Sequence, residues 1–368
     1  MSKTTIFLGL LLAISCSWAW PYGETPVRGV NLGGWLVLEK WIGVPNVYDG
    51  LPSWVNDEWQ LCEYLGYQEA ERRLKAHWES WVTENDIIQL KNAGINHLRI
   101  PFGYWALEIP NGEPWVWGSW DYVMRACDWA RKHGLQVMID FHGAPGSQNG
   151  NDHSGHAGET AFFYHDSNFQ LSTRVLGQVA KIFNASEWRN TVTIIQLLNE
   201  PVLWDDYNYR LDRLKQFYRM SYDEVRKNND IAVVAVHDAF ISSDNWYYLR
   251  DDPHYFWVML DIHYYQVFTP EWSDYTCEQH WALPCRYVNG LRQANAKLWT
   301  IVGEWSLATP KNCNNQGYFA RQQMGVYEVA SGWVMWTFKH GAGWSEWDFM
   351  ASQRNGWINL SGAITPQC

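Results

Sequence analysis

The stretch that decides the fold is TVTIIQLLNEPVLW, Thr191 to Trp204. A nearly unbroken apolar run stops on Asn199-Glu200-Pro201. Such a run is the mark of a strand buried on both faces, as in a parallel sheet. Proline cannot continue that strand, so the chain must turn outward after Glu200. A structural glutamate belongs on a wet helix face. One at the lip of a buried strand asks for a chemical reason.

The same pattern recurs along the chain. Strand-like runs are VRGVNL (27–32), INHLRI (95–100), LQVMIDF (135–141), TVTIIQLLN (191–199), IAVVAV (231–236), FWVMLDIH (256–263), LWTIVGE (298–304) and GWVMWTF (332–338). Helix-like segments lie between many of them: GYQEAERRLKAHWESW and TENDIIQLKNAG before the second, SWDYVMRACDWARKHG before the third, YRLDRLKQFYRMSYDEVRKNN before the fifth. Lys-His-Gly and Asn-Ala-Gly are good helix stops. Eight strands alternating with helices predict a single (β/α)8 barrel. A doubly wound sheet competes, but GVNLGGW lacks the GxGxxG spacing that its nucleotide loop would need.

Composition narrows the function. The chain has 368 residues, 47% hydrophobic and 18% charged, enough for a full core and too apolar for disorder. A net charge of −11 argues against nucleic acid or an anionic membrane as partner. The 26 Trp exceed what packing alone asks for. A Trp-rich core accounts for many; flat platforms for sugar rings would account for others.

Residues 1–19 read as a secretion signal, with Lys3, an apolar run from Ile6 to Ile14, and Ser17-Trp18-Ala19 as the cleavage site. The run is too short to span a membrane, and Ile364 to Cys368 is no hydrophobic anchor. The mature chain, residues 20–368, is therefore expected outside the cell as one catalytic domain, and as a monomer. Setting aside Cys16, six cysteines remain, four of them in the last quarter, where bridges are most expected; Cys127 reads as a buried free thiol. No Cys/His spacing suggests a metal, and no cofactor is implied. Asn184 and Asn359 begin glycosylation sequons.

In a barrel the active site forms at the C-terminal strand ends. There stand Arg99, His142, Asn199 with Glu200, His263 with Tyr265, Glu304 and Trp336. Each alone has a plain structural reading, a loop cap or a paired charge. Two glutamates on different strands, with polar neighbours at corresponding positions, are what glycosidic cleavage uses: one acid to protonate the leaving oxygen, one carboxylate to attack or to activate water. The sequence supplies no distance to choose between these.

GVNLGGWLVLEKW, HWESWVTENDI, GINHLRIPFGYWAL, DFHGAPGSQNG, LLNEP, DIHYYQVF, VGEWSLA and GWVMWTFK occur in that order. From Val27 to Ile358 the chain resembles the secreted exo-β-1,3-glucanases of glycoside hydrolase family 5, known mainly from fungi. The resemblance implies a retaining double displacement, with Glu200 as acid/base and Glu304 as nucleophile. It implies Asn199 on the sugar 2-OH, Arg99 on the nucleophile, and His142, His263 and Tyr265 around the reacting sugar. Trp336 would lie under the terminal glucose and Glu39 would accept its distal hydroxyls. The substrate would be β-glucan, cut from its non-reducing ends. The same machinery on a β-1,6 or β-1,4 glucan or a β-glucoside is the alternative, and a non-catalytic glucan-binding protein the remote one. The Glu200 carboxyl is expected to be raised relative to Glu304. One departure is clear: the relatives clamp the leaving sugar between two Phe, and here only Phe268 is present, with Asn151 in the other place. The family's disulfides are not carried over; a Cys285–Cys368 bridge is expected.

Overall fold

The computed structural model describes residues 20–311 and 313–368, so the leader expected at 1–19 lies outside the described residues. Eight parallel strands close into one barrel in sequence order: β1 (Val27–Asn31), β2 (His97–Gly103), β3 (Gln136–Gly143), β4 (Val192–Gln196), β5 (Val233–His237), β6 (Val258–Tyr264), β7 (Trp299–Trp305) and β8 (Gly332–Met335). β8 returns to β1, with Val27 beside Gly332 and Val30 beside Met335, so no edge is left open. All eight runs read from the sequence are strands.

Two strands stop three residues short of the reading, and most other ends shift by one to three residues. β4 closes at Gln196 rather than Asn199, because the next amides part company: Leu197 N bonds Ala235 O on one side and Asn199 N bonds Phe141 O on the other. β8 stops at Met335 rather than Phe338, since Thr337 N turns to Trp347 O and Phe338 N to Asn31 O. Both strands splay where they reach the site.

The predicted helices form with the expected ends: α1 (Tyr67–Trp81), α2 (Glu84–Asn92), α3 (Ser119–His133) and α4 (Tyr207–Asn228). Thr83 and Asp86 make a capping box on α2. Gly134 ends α3 at φ 67°, a left-handed cap that suits a residue without Cβ. Among the described residues no helix is long and apolar enough to cross a membrane.

The barrel interior has two storeys, because strand side chains alternate and every second residue points inward. The lower one is dry: Val27, Met138, Ile194, Val233, Ala235, Met259, Ile301 and Val334 cluster above Tyr22. The Tyr22 hydroxyl closes that end, donating to Thr193 Oγ1 at 2.7 Å and lying 3.2 Å from His97 Nε2. The upper storey is polar.

Cys285 is bonded to Cys368 as expected, and Cys277 to Cys313. These bridges tie the β6–β7 connection to the β7–β8 connection and to the C-terminus. Cys127 and Cys62 are buried free thiols.

Candidate active site

The period-two alternation that fills the lower storey also builds the upper one. Two residues beyond Met138 comes Asp140, and two further His142. Beyond Met259 come Asp261 and His263, and beyond Ile194 comes Gln196. Arg99 on β2 is fully buried at their centre. Its guanidinium donates through Nη1 to Glu304 Oε1 at 2.9 Å and Asn31 Oδ1 at 2.8 Å, through Nη2 to Asn199 Oδ1 at 2.6 Å, and through Nε to Gln196 Oε1 at 2.9 Å. Asp140 lies 3.1 Å from it, and Asp261 3.8 Å. A buried cation is tolerable only when so compensated. Burial works against the charge, but Asp140, Glu304 and Asp261 outweigh it and hold the Arg99 pKa above its usual value.

Glu304 is therefore fixed from two sides. Arg99 holds Oε1, and the Tyr265 hydroxyl donates to Oε2 at 2.7 Å. Across from it, Glu200 Oε1 lies 2.6 Å from His263 Nδ1, and that nitrogen is 3.5 Å from Glu304 Oε2. The other His263 nitrogen faces Asp261 at 3.2 Å. His142 Nδ1 is set by Asp140 at 2.6 Å, and its Nε2 is 3.4 Å from the Asn199 amide nitrogen. The His142 ring lies nearly parallel to Trp336, centroids 5.5 Å apart and planes at 15°.

The turn after β4 is what aims Glu200. Its φ is +45°, a left-handed conformation that a residue with a side chain adopts only when its surroundings hold it there. Loop side chains do so: Gln148 Nε2 donates to the carbonyls of His142 and Asn199, and Asn149 Nδ2 to that of Glu200. The motif HGAPGSQNG thus locks two strand ends together.

The surroundings of Glu200 pull its carboxyl downward, against the direction of the expected rise. Burial alone would push it up, but the hydrogen bond and charge of His263, with His153 and His237 adding to it, hold it below the ordinary carboxylate range. Burial opposes the His263 cation, yet Glu304, Asp261 and Glu200 hold its pKa well above that of free histidine. Each partner thus favours the charged form of the other across a 2.6 Å contact, a distance no sequence reading contained.

Glu39 behaves in the opposite way. Burial, then the charge of Asp152, with Glu304 and Glu200, pushes its carboxyl well above the usual range, and the Trp41 indole bond only partly offsets this. Trp41 Nε1 donates to Oε2 at 2.8 Å, while Oε1 is buried with no partner. Trp41 packs in turn on Trp347 at 4.9 Å and beside His340 and Trp344, making an aromatic wall at that end of the site.

Every residue expected at the site is at the barrel's C-terminal end; Glu39, Arg99, His142, Asn199, Glu200, His263, Tyr265, Glu304 and Trp336 converge. Phe268 stands at the outer rim of the same site, 70% exposed, its ring 5.3 Å from Tyr265 and 6.1 Å from Trp347. Asn151 is exposed, its amide tied to Asn149 Oδ1, and offers no aromatic wall. The sequence reading missed Asn31, Asp140, Gln196, His237 and Asp261, the layer beneath the rim, and His153, 3.6 Å from Glu200. The period-two spacing Asp140-x-His142 and Asp261-x-His263 was a signal that could have found two of them.

Glu200, His237 and His263 place ligand-type atoms within 4.8 Å of one another. The donor set does not fit a cation. The His263 nitrogens are taken by Glu200 and Asp261, and the ring is cationic; His237 Nδ1 accepts the Ala239 amide at 2.9 Å.

A closed eight-stranded parallel barrel whose C-terminal rim gathers two facing glutamates, an arginine, imidazoles and indoles has the design of a glycosidase. The cellulase model of glycosyl hydrolase family 5 matches residues 63–353, and the chain belongs to glycoside hydrolase family 5. The glucan 1,3-beta-glucosidase of Blumeria graminis is 36% identical over 390 residues, which cover 92% of this chain and 88% of that protein. The glucan 1,3-beta-glucosidase of Kluyveromyces lactis is 34% identical, covering 91% and 89%. Among solved structures, the rutinosidase from Aspergillus niger shares the fold with a TM-score of 0.81 at 24% identity, over 91% of this chain and 98% of that one.

Proposed function

We propose that this glycosidase is secreted and releases glucose, with retention, from the non-reducing ends of β-1,3-glucan, using Glu304 as nucleophile and Glu200 as acid/base. One observation carries the mechanism. A single nitrogen, His263 Nδ1, lies 2.6 Å from Glu200 Oε1 and 3.5 Å from Glu304 Oε2, so these oxygens are at most about 6 Å apart. Retaining enzymes hold their carboxyl groups about 5–5.5 Å apart, whereas inverting ones leave room for a water between them.

In the first step Glu304 attacks the anomeric carbon as the glycosidic C–O bond breaks, and Glu200 delivers a proton to the departing oxygen. In the second, Glu200 takes a proton from water, the water oxygen bonds the anomeric carbon, and Glu304 leaves. The proton for the first step passes from His263 to Glu200 across their short bond. Arg99 and Tyr265 keep the nucleophile aimed, which removes orientational freedom before reaction. Asn199, beside the acid, offers its amide to the sugar 2-OH, a bond that strengthens as positive charge develops on the ring.

The end-cutting mode is supported by the wall of Glu39, Trp41, Trp344 and Trp347. The unpartnered Glu39 Oε1 is an acceptor waiting for hydroxyls of a terminal sugar. The β-1,3 linkage is supported by the names of the relatives, and secretion by two disulfides, which persist in oxidising compartments. The test is proton NMR of a laminarin digest from its first minutes, with cellulose and pustulan as comparators. β-Glucose as the first product is expected. α-Glucose would overturn the roles of the glutamates, a ladder of oligosaccharides the end-cutting mode, and faster release from another glucan the linkage.

A further inference from the structure

A cavity of about 370 Å³ opens on the outer flank of the barrel, and none of its lining residues belongs to the active site. Its walls are a short helix, α5 (Cys277–Ala282), in the β6–β7 connection, the start of helix α6 (Gln316–Tyr327) in the β7–β8 connection, and Gln367 beside the C-terminus. The volume is that of a small-ligand site. Trp281 and Tyr318 meet there at a corner, ring centroids 5.9 Å apart and planes at 75°. Both are half-buried, and both line the cavity.

The polar groups beside these rings are amides. Asn315, Gln322 and Gln367 line the cavity, with the exposed Glu278 as its single carboxylate and, among the described residues, no basic side chain. An anion finds no positive charge there, and a metal ion too few ligands. An indole, a phenol and several amides suit a neutral polyol, whose C–H faces lie on the rings and whose hydroxyls meet the amides. Trp281 Nε1 is buried without a partner, a cost that a hydroxyl entering beside it relieves.

The walls are fixed before anything binds. Cys277–Cys313 ties the first residue of α5 to the segment before α6, and Cys285–Cys368 ties the chain just after α5 to its last residue. Buried Gln322 pins the terminus again: its Oε1 accepts the Gln367 amide at 2.8 Å, and its Nε2 donates to the Gln367 carbonyl at 3.4 Å. Both bridges found among the described residues border this one cavity, and neither joins residues of the active site. Rigid walls lower the ordering cost of binding.

We infer that this cavity is a second glucan-binding site, which holds an internal segment of the polymer while the active site works on a chain end. An end-cutting pocket grips one terminus, so a second hold raises the effective concentration of ends on a polymer and does nothing for a disaccharide. This rests on the reading of the protein as a β-1,3-glucan hydrolase.

The experiment takes the ratio of kcat/KM on insoluble β-1,3-glucan particles to kcat/KM on laminaribiose, in wild type, Trp281→Ala and Trp281→Phe. A loss of folded enzyme cancels in that ratio. It is expected to fall about three- to tenfold in Trp281→Ala and to be largely kept in Trp281→Phe. In parallel, Glu304→Gln should be retained on the particles, and adding Trp281→Ala to it should release protein to the supernatant. An unchanged ratio, an equal fall in both variants, or undiminished retention would overturn the second site. If wild type cleaves cellulose or pustulan instead, the linkage reading fails, and the same ratio taken on that polymer and its disaccharide decides the cavity separately.

Discussion

The two storeys of the barrel interior are made by the same eight strands with the same alternation, and they do opposite work. The lower storey buries Met138, Ile194, Met259 and Ile301 away from water, and that burial is the main driving force for closing the barrel. The upper storey, two residues further along each strand, buries Asp140, Gln196, Asp261 and Arg99. Desolvating those groups costs free energy that their mutual bonds only partly return. The lower half thus holds the fold, and the upper half is held by it. Substitutions should separate the two halves cleanly.

The largest effect should come from Glu304→Gln, which keeps shape and removes the oxygen proposed to attack. A fall in kcat of about 10⁴-fold or more is expected with an aryl β-glucoside, with binding of laminarin retained. Residual turnover close to wild type would remove Glu304 from the nucleophile role. The counterpart below is Ile301→Ala, on the same strand. It should cost about 2–5 kcal/mol in urea unfolding while leaving kcat per folded molecule unchanged. If activity per folded molecule falls as steeply as stability, the storeys are not independent.

How far the sequence revealed each storey follows from this division. Strands such as LQVMIDF and LWTIVGE are legible because burial on both faces makes them apolar throughout, and the polar residue that ends each run marks the rim. Arg99, His142, Asn199, Glu200, His263, Tyr265, Glu304 and Trp336 were legible on that ground, and Glu39 through resemblance. The second polar layer was not. Asp140 and Asp261 sit inside apolar runs, where a single carboxylate reads as an interruption of a strand rather than a partner for Arg99. The Glu200–His263 bond was illegible for another reason: residues 63 positions apart meet only after the barrel closes. That contact is the foremost of the causes that draw the Glu200 carboxyl down, ahead of His153 and His237.

The store of charge in the upper storey makes a pH prediction. On the proposed roles the proton delivered by Glu200 belongs to the Glu200–His263 pair, and the carboxylates around His263 raise its pKa well above that of free histidine. Activity is lost as pH rises through the value at which the pair gives up that proton. His263→Asn removes the storing group and leaves Glu200 to hold the proton alone, as a buried carboxyl. The basic limb of kcat/KM should therefore move to lower pH, with the maximum reduced on the order of 10²-fold. A limb that stays in place would mean that the proton was never held at His263.

The smallest effect is also the one that most sharply tests whether the upper storey is kept for function. Glu39 is buried, and its pKa in the fold stands well above the ordinary value. For such a group, the stability it contributes is complete below the pKa of the unfolded chain and is lost as pH rises through the folded value. Glu39→Gln keeps an acceptor for Trp41 and abolishes that loss. The variant should therefore melt about 2 °C higher than wild type at pH 7, and the gap should close as pH is lowered below about 4. Its kcat/KM should fall roughly tenfold if Glu39 takes the terminal sugar as proposed, because an amide has one acceptor oxygen and Trp41 Nε1 already uses it. A variant that is less stable at pH 7 would mean that the Glu39 charge is a structural support, and that the division between the storeys does not extend to the loops above the rim.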